Sequence, residues 1–196
     1  MSMSKRVEMV KPSVTLATTA RAAELSAQGV DVVNLGAGEP DFPTPRAVIE
    51  ASREFFEAGR VTYTAAAGIP ELRDAVAAFY GRQFGHPLTR DEVVVTCGAK
   101  HALYLALQVL CNEGDEVAYA NPYWVSYPEM AHLAGAVPVE VPTRSEDGFR
   151  VDPEVLRSVL TDKTRVLIVN SPSNPSGAVL DRANLEAIVE IAAQSG

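Results

Sequence analysis

Cysteine is scarce in this chain: the 196 residues hold only Cys97 and Cys111, without the spacing of a metal-ligand set. A disulfide is not expected from so sparse a pair, which suits a reducing compartment, and Cys97 reads as a small packing residue rather than a nucleophile. Basic runs are missing as well, and the net charge is -8. Nucleic acid and anionic membrane surfaces are therefore poor partners, and a small molecule is the better expectation. No apolar run approaches membrane-spanning length, and the opening MSMSKRVEMVKPS lacks the apolar core of a signal peptide, so the expected location is cytoplasmic. Internal repeats and low-complexity tracts are also absent. What is present is a hydrophobic content of 47%, enough to bury the core of one large domain, or of one domain with an appendage.

The stretch 93–110, VVVTCGAKHALYLALQVL, changes hydrophobic period at two small residues. Val93, Val94 and Val95 form a β-branched run suited to a strand buried on both faces of a parallel sheet. Gly98 and Ala99 permit a close turn, and from Lys100 onward Ala102, Leu105, Ala106 and Val109 recur at helical spacing. The amides that open a helix have no partner inside it and lie at the positive end of its dipole, so such a turn holds a phosphate or carboxylate readily. Lys100 adds a full charge there. Every strand-to-helix turn of an α/β domain has this form, so taken alone the motif favours neither a structural nor a binding role.

From the start of the chain, Pro12 and Ser13 open a helix over 11–28, and 30–35 follows as a short apolar strand. The loop 35–45, LGAGEPDFPTP, has restricted φ angles and glycines at which backbone approaches a ligand closely; a plain connection would look similar. Thr44 and Pro45 form the N-cap and first residue of a helix reaching about residue 58. Tyr63 precedes a helix over 70–84 and, read by itself, is a packing anchor. Strands are expected at 117–120, 137–141 and 166–170, with helices at 153–160 and 181–193. This alternation predicts an α/β fold of three layers, a mainly parallel sheet with helices on both faces. Trp124, the only tryptophan, then lies with the Gly98 turn at the carboxyl ends of strands, where open α/β sheets bind ligands. Two prolines flank Asn174 in NSPSNPSGAV, which makes Asn174–Pro175 a candidate for a cis bond and presents one amide side chain rigidly.

GAGEPDFPTP, YTAAAGIPELR, VTCGAKHAL, NEGDEV, PYWVSYPEM and NSPSNPSGAV, in this order and at this spacing, resemble the fold-type I aminotransferases that use pyridoxal phosphate, specifically the bacterial aspartate aminotransferase group. The resemblance implies the large domain of that fold, with 1–45 as an N-terminal arm and part of a small domain, and 46–196 as the N-terminal portion of the cofactor-binding domain. It implies pyridoxal 5'-phosphate as cofactor, its phosphate held by Gly98, Ala99 and Lys100 and by Tyr63 reaching from a second subunit of a homodimer. Trp124 is expected to stack on the cofactor ring, Asn174 to hydrogen-bond the ring's phenolic oxygen, and both to border the substrate. Gly38 resembles the glycine whose main chain meets the substrate carboxylate. Lys100 and Lys11 match lysines associated with a distal carboxylate, which points to aspartate or glutamate as donor and a 2-oxo acid as acceptor. Ser176 stands where threonine is usual, and this leaves Asn174 in place.

Members of the group are considerably longer, and their Schiff-base lysine, the aspartate facing the pyridinium nitrogen and the arginine gripping the α-carboxylate belong beyond residue 196. The lysines here are Lys5, Lys11, Lys100 and Lys163, none at the Schiff-base position, so the 196 residues are expected to be a truncated, N-terminal part, inactive alone. Other fold-type I enzymes share much of this frame. Two non-catalytic alternatives are a cofactor-binding regulator, for which no basic DNA-binding segment exists, and a degenerate subunit paired with a complete one.

Overall fold

The computed structural model describes residues 4–36, 38–59 and 62–195. In chain order the helices are α1 Lys5–Met9, α2 Val14–Ala27, α3 Arg46–Glu57, α4 Pro70–Phe84, α5 Gly98–Leu110, α6 Ser126–Leu133, α7 Pro153–Val159 and α8 Arg182–Gln194, and the strands are β1 Glu116–Ala120, β2 Val137–Val141 and β3 Thr164–Ile168. They fall into two compact units, one comprising Met1–Lys11 with Cys97–Gly196, the other Pro12–Thr96.

In the first unit the three strands form a parallel sheet of order β2-β1-β3. The middle strand, EVAYA, has no exposed face: Val117, Ala118 and Tyr119 are at most 1% exposed. Alternation of side chains along it separates two cores. Val117 and Tyr119 pack with Leu107 of α5 and Tyr127, Met130 and Ala131 of α6. Ala118 packs on the opposite face with Val141, Leu156 of α7, and Ile188 and Ile191 of α8. The result is the expected three-layer α/β arrangement. Because the helix after β1 covers one face and the helix after β3 the other, the chain reverses its winding between these neighbouring strands, and ligands of such sheets bind at the carboxyl ends there.

The second unit is helical and less buried. Ser13 caps α2, its Oγ accepting from the Leu16 amide, as expected. The helix α4 runs Pro70–Phe84 as its proline start implies. Thr89 and Glu92 form a capping box around a 3₁₀ turn at Arg90–Glu92.

Several expectations are corrected. The segment 93–95 is not a strand buried on both faces: Val94 is 63% exposed, and no ladder partner exists among the described residues. Its polar groups are taken locally, the Val95 amide donating to the Ala67 carbonyl at 2.9 Å and Arg73 Nε donating to the Val93 carbonyl at 2.9 Å. The segment 30–35 is likewise unpaired, with Val33 and Leu35 exposed, and Asn34 Oδ1 accepts from the Gly36 amide, bending the chain at the segment's end. At α3 the N-cap is Pro45 and no side-chain cap is made, so Thr44 does not play that part. The last strand lies two residues upstream of 166–170. Finally, the sequence reading assigns no element to 121–130, where the structure has α6; its Pro128 sits in the first turn, where its missing N–H costs nothing.

Candidate active site

The helix α5 begins at Gly98, with φ +81°, and a Cβ built there meets no atom within 4 Å. This is the left-handed region, which an L side chain adopts only with strain. The preceding Cys97 contributes no side-chain cap; its amide instead donates to His101 Nδ1 at 3.4 Å. No acidic residue occupies the first turn, and Lys100 is in it. A cation at the positive end of a helix dipole opposes the helix's own electrostatics. A first turn that carries a lysine and no carboxylate is therefore not explained by the helix's own electrostatics.

Lys100 does not point away from the sheet's ligand edge. Its Nζ lies 5.1 Å from the centroid of the Trp124 ring, within range of a cation–π attraction. Trp124 is half-buried on the connection between β1 and α6, and its ring meets Tyr127 edge-on, centroids 5.6 Å apart at 87°. Tyr127 is 6% exposed, contacts Tyr119 at 5.8 Å, and its hydroxyl is hydrogen-bonded to the Asn170 side chain. Burial pushes the Tyr127 phenol up from its ordinary value, with the Asn170 bond opposing. Burial raises Tyr119 further, helped by the neighbouring Tyr123 and by Glu140 and Glu129. Tyr123 donates to Glu140 Oε1 at 3.0 Å, and Asn121 Nδ2 donates to Oε2 at 2.6 Å, which ties the β1 connection to β2. These phenols stay protonated at neutral pH and serve as fixed walls and donors.

Asn174 lies on the connection leaving β3, the strand beside β1, so it and Trp124 flank the point where the winding reverses. The loop is knotted to itself: Ser173 donates to the Ala178 carbonyl at 2.9 Å, Gly177 to Ser173 at 2.8 Å, and the Leu180 amide to Ser171 Oγ at 3.0 Å. Ser176 Oγ accepts from the Ala178 amide at 3.2 Å. The Asn174–Pro175 bond is cis, as are Ser171–Pro172 and Asn121–Pro122. Asn174 is exposed at the top of this closed loop.

Of the other expected residues, Lys11 ends the arm of the same unit, its main-chain amide donating to Glu129 Oε2 of α6 at 2.9 Å. Gly38 and Tyr63 belong to the second unit. A Cβ at Gly38 would meet no atom within 4 Å, and the loop 35–45 is described apart from Ala37. The Tyr63 ring is fully exposed, which removes the packing role its sequence context suggested. Tyr127, Asn170 and Glu129 were missed. The one signal is Tyr127 three residues after Trp124, the spacing of about one helical turn. A cavity of about 40 Å³ lies between the α7–α8 face and the Asn174 loop, walled by Val141, Leu156 and Ile188 and by Asn170, Ser173 and Ser176; no residue of the Gly98 turn lines it.

Together these features place Lys100, Trp124 and Asn174 at the carboxyl ends of the parallel strands of an α/β protein. Its relatives give that class a family. The sequence pattern described as aminotransferase class I and II matches residues 30–196. Over 192 residues the chain is 51% identical to a probable aspartate/prephenate aminotransferase of Thermus aquaticus, covering 98% of this chain and 50% of that protein. It is 44% identical to an aspartate aminotransferase of Geobacillus stearothermophilus, over all of this chain and 50% of the relative. The solved aspartate aminotransferase of Thermus thermophilus with maleate superposes with a TM-score of 0.96 at 49% identity, covering 100% of this chain and 51% of that one. The chain belongs to the class I and II aminotransferase family, and it spans about half the length of the curated relatives it matches. No helix among the described residues is long and apolar enough to cross a membrane.

Proposed function

We propose that the protein binds pyridoxal 5'-phosphate and transfers an amino group between an L-amino acid, aspartate or glutamate, and a 2-oxo acid. The observation that carries this reading is the Lys100–Trp124 contact at the opening of α5. It joins a helix N-terminus with no acidic residue in its first turn, a cation and a flat aromatic ring, with the Asn174 amide on the neighbouring connection. That donor set fits a group with a phosphate, an aromatic ring and a phenolic oxygen, and no carboxylate in the α5 first turn repels it.

When bound, the cofactor supplies the electron sink for chemistry at the amino acid's Cα. The protein's residues bind and orient. The amides of Ala99 and Lys100 hold the phosphate, with Gly98 leaving room for its approach. Trp124, braced by Tyr127, covers one ring face and excludes water. Asn174 donates a neutral hydrogen bond to the phenolic oxygen. Gly38 presents main chain to the substrate carboxylate, and Lys100 and Lys11 pair with a distal carboxylate and so favour dicarboxylic donors. Tyr63 reaches the phosphate of a second copy in a cytoplasmic homodimer; its full exposure supports a role outside its own core.

None of Lys5, Lys11, Lys100 and Lys163 is the amine that joins the cofactor covalently, and residues 1–196 alone do not turn over. Lys163 precedes β3 at the amino end of the sheet, opposite Trp124, while Lys5 and Lys11 lie on the arm. The test is transfer from aspartate to 2-oxoglutarate by the protein at its natural length, with borohydride reduction and peptide mapping in parallel. Cofactor-dependent transfer, with the label outside these four lysines, is expected. Lack of transfer refutes the activity, and a label on one of the four refutes the assignment of the amine.

A further inference from the structure

We propose that Glu129 is a positioning residue that fixes the N-terminal arm so that Lys11 meets the distal carboxylate of the substrate; this rests on the transaminase reading above. The arm is thinly held by packing: α1 has no buried residue, and Val7 and Met9 are 44% and 45% exposed. At its end, 118 residues away in sequence, the Lys11 amide donates to Glu129 Oε2 at 2.9 Å. A bond to a charged acceptor is stronger than a neutral one, and this contact ties the end of the arm to α6.

The bond engages the main chain of Lys11 and not its ammonium. A carboxylate serving only to neutralise Lys11 would pair with Nζ; pinning the backbone fixes the residue while leaving its charge for another anion. Glu129 occupies the first turn of α6, where the helix dipole favours a carboxylate. That same turn carries Tyr127, whose amide bonds the Trp124 carbonyl at 3.0 Å and whose ring braces the Trp124 ring. One turn of helix thus registers both the aromatic shelf and the arm. Tyr119 of β1 and Tyr123 on the connection after it are the titratable groups influenced by Glu129, and burial raises both.

The experiment compares Glu129→Ala, Glu129→Gln and Lys11→Ala in the cofactor-loaded protein at its natural length. Hydrogen exchange of the arm is read by mass spectrometry, and KM and kcat are measured with aspartate and with a neutral amino donor. Glu129→Ala is expected to speed exchange over 5–11 and raise the aspartate KM about tenfold with kcat and the neutral donor little changed. Glu129→Gln, which keeps an acceptor oxygen without the charge, falls between, and it preserves the test if the alanine variant folds poorly. Lys11→Ala raises the aspartate KM without loosening the arm, and the double variant is no worse than Lys11→Ala alone. Unchanged exchange, or a loosened arm with no donor-specific change in KM, overturns the proposal. Absence of any transfer by the unaltered protein removes the transaminase reading and this role with it, whereas unchanged exchange removes only the pinning.

Discussion

Alanine at Gly98 tests whether the opening of α5 is shaped by backbone conformation or by crowding. The position has φ +81° and open space where a Cβ would stand. The substitution therefore costs the left-handed backbone term alone, about 1–2 kcal/mol. Gly68 supplies the contrast, with φ +102° and a Cβ only 2.7 Å from Val95 Cγ2 and 2.8 Å from Val95 Cβ. Overpacking of that kind adds about 1–3 kcal/mol to the same backbone penalty. With a urea dependence of about 2 kcal/mol per molar, Gly98→Ala lowers the unfolding midpoint by about 0.5–1 M and Gly68→Ala by roughly twice as much. Pyridoxal phosphate affinity is expected to follow a different order, since Gly98→Ala alters the turn that offers the first amides of α5 while Gly68 lies in the other unit. If Gly98→Ala unfolds as easily as Gly68→Ala, the turn is not the open, conformationally set feature described.

Tyr127→Phe retains the edge contact with Trp124 and loses the hydroxyl bond to Asn170, at about 1 kcal/mol, whereas Tyr127→Ala empties a buried ring site at about 3–5 kcal/mol; denaturant unfolding separates them, and equal losses would deny the packing role. Asn184 is 3% exposed and donates from Nδ2 to the Val151 carbonyl at 2.7 Å, with Oδ1 lacking a protein partner. Asn184→Asp turns that donor into a buried charge facing a carbonyl, so a loss of at least about 3 kcal/mol is expected in the same assay. In the alkaline range, Cys111 is raised from its ordinary 9.0 by burial first and Asp115 second, and Tyr119 from 10.0 by burial first. Because both folded values are raised, their contribution is complete at neutral pH and is lost as pH climbs past the unfolded values. Unfolding free energy therefore falls above about pH 9, and less steeply in Tyr119→Phe; a rise would contradict the burial.

Where local chemistry sets an element, the sequence announces it. The helix α4 is legible from Pro70 to Phe84 because proline opens it and Gly85 stops it, and α5 is legible from its change of period at Gly98. The buried strand β1 is legible from its apolar run. Segments 93–95 and 30–35 carry strand composition but lack neighbours in a ladder, and a ladder is a property of pairs rather than of one segment. Helix α6 is obscured because proline reads as a breaker until its place in the first turn is known. In the site, Gly98, Lys100, Trp124 and Asn174 stand out as residue types with chemistry near turns. Tyr127 and Glu129 do not: one works through a ring contact inside the core, the other through a bond across 118 residues that no local pattern contains.

The central claim is that the α5 turn and Trp124 together hold a phosphate-bearing ring, and the most direct measurement is Trp124 fluorescence titrated with pyridoxal phosphate and, separately, with pyridoxal. In the protein at its natural length, saturable quenching by pyridoxal phosphate is expected, absent in Trp124→Phe, weakened in Gly98→Ala and Lys100→Ala, and much weaker with pyridoxal. Equal quenching by both compounds, indifferent to Gly98 and Lys100, would contradict the assignment of the turn.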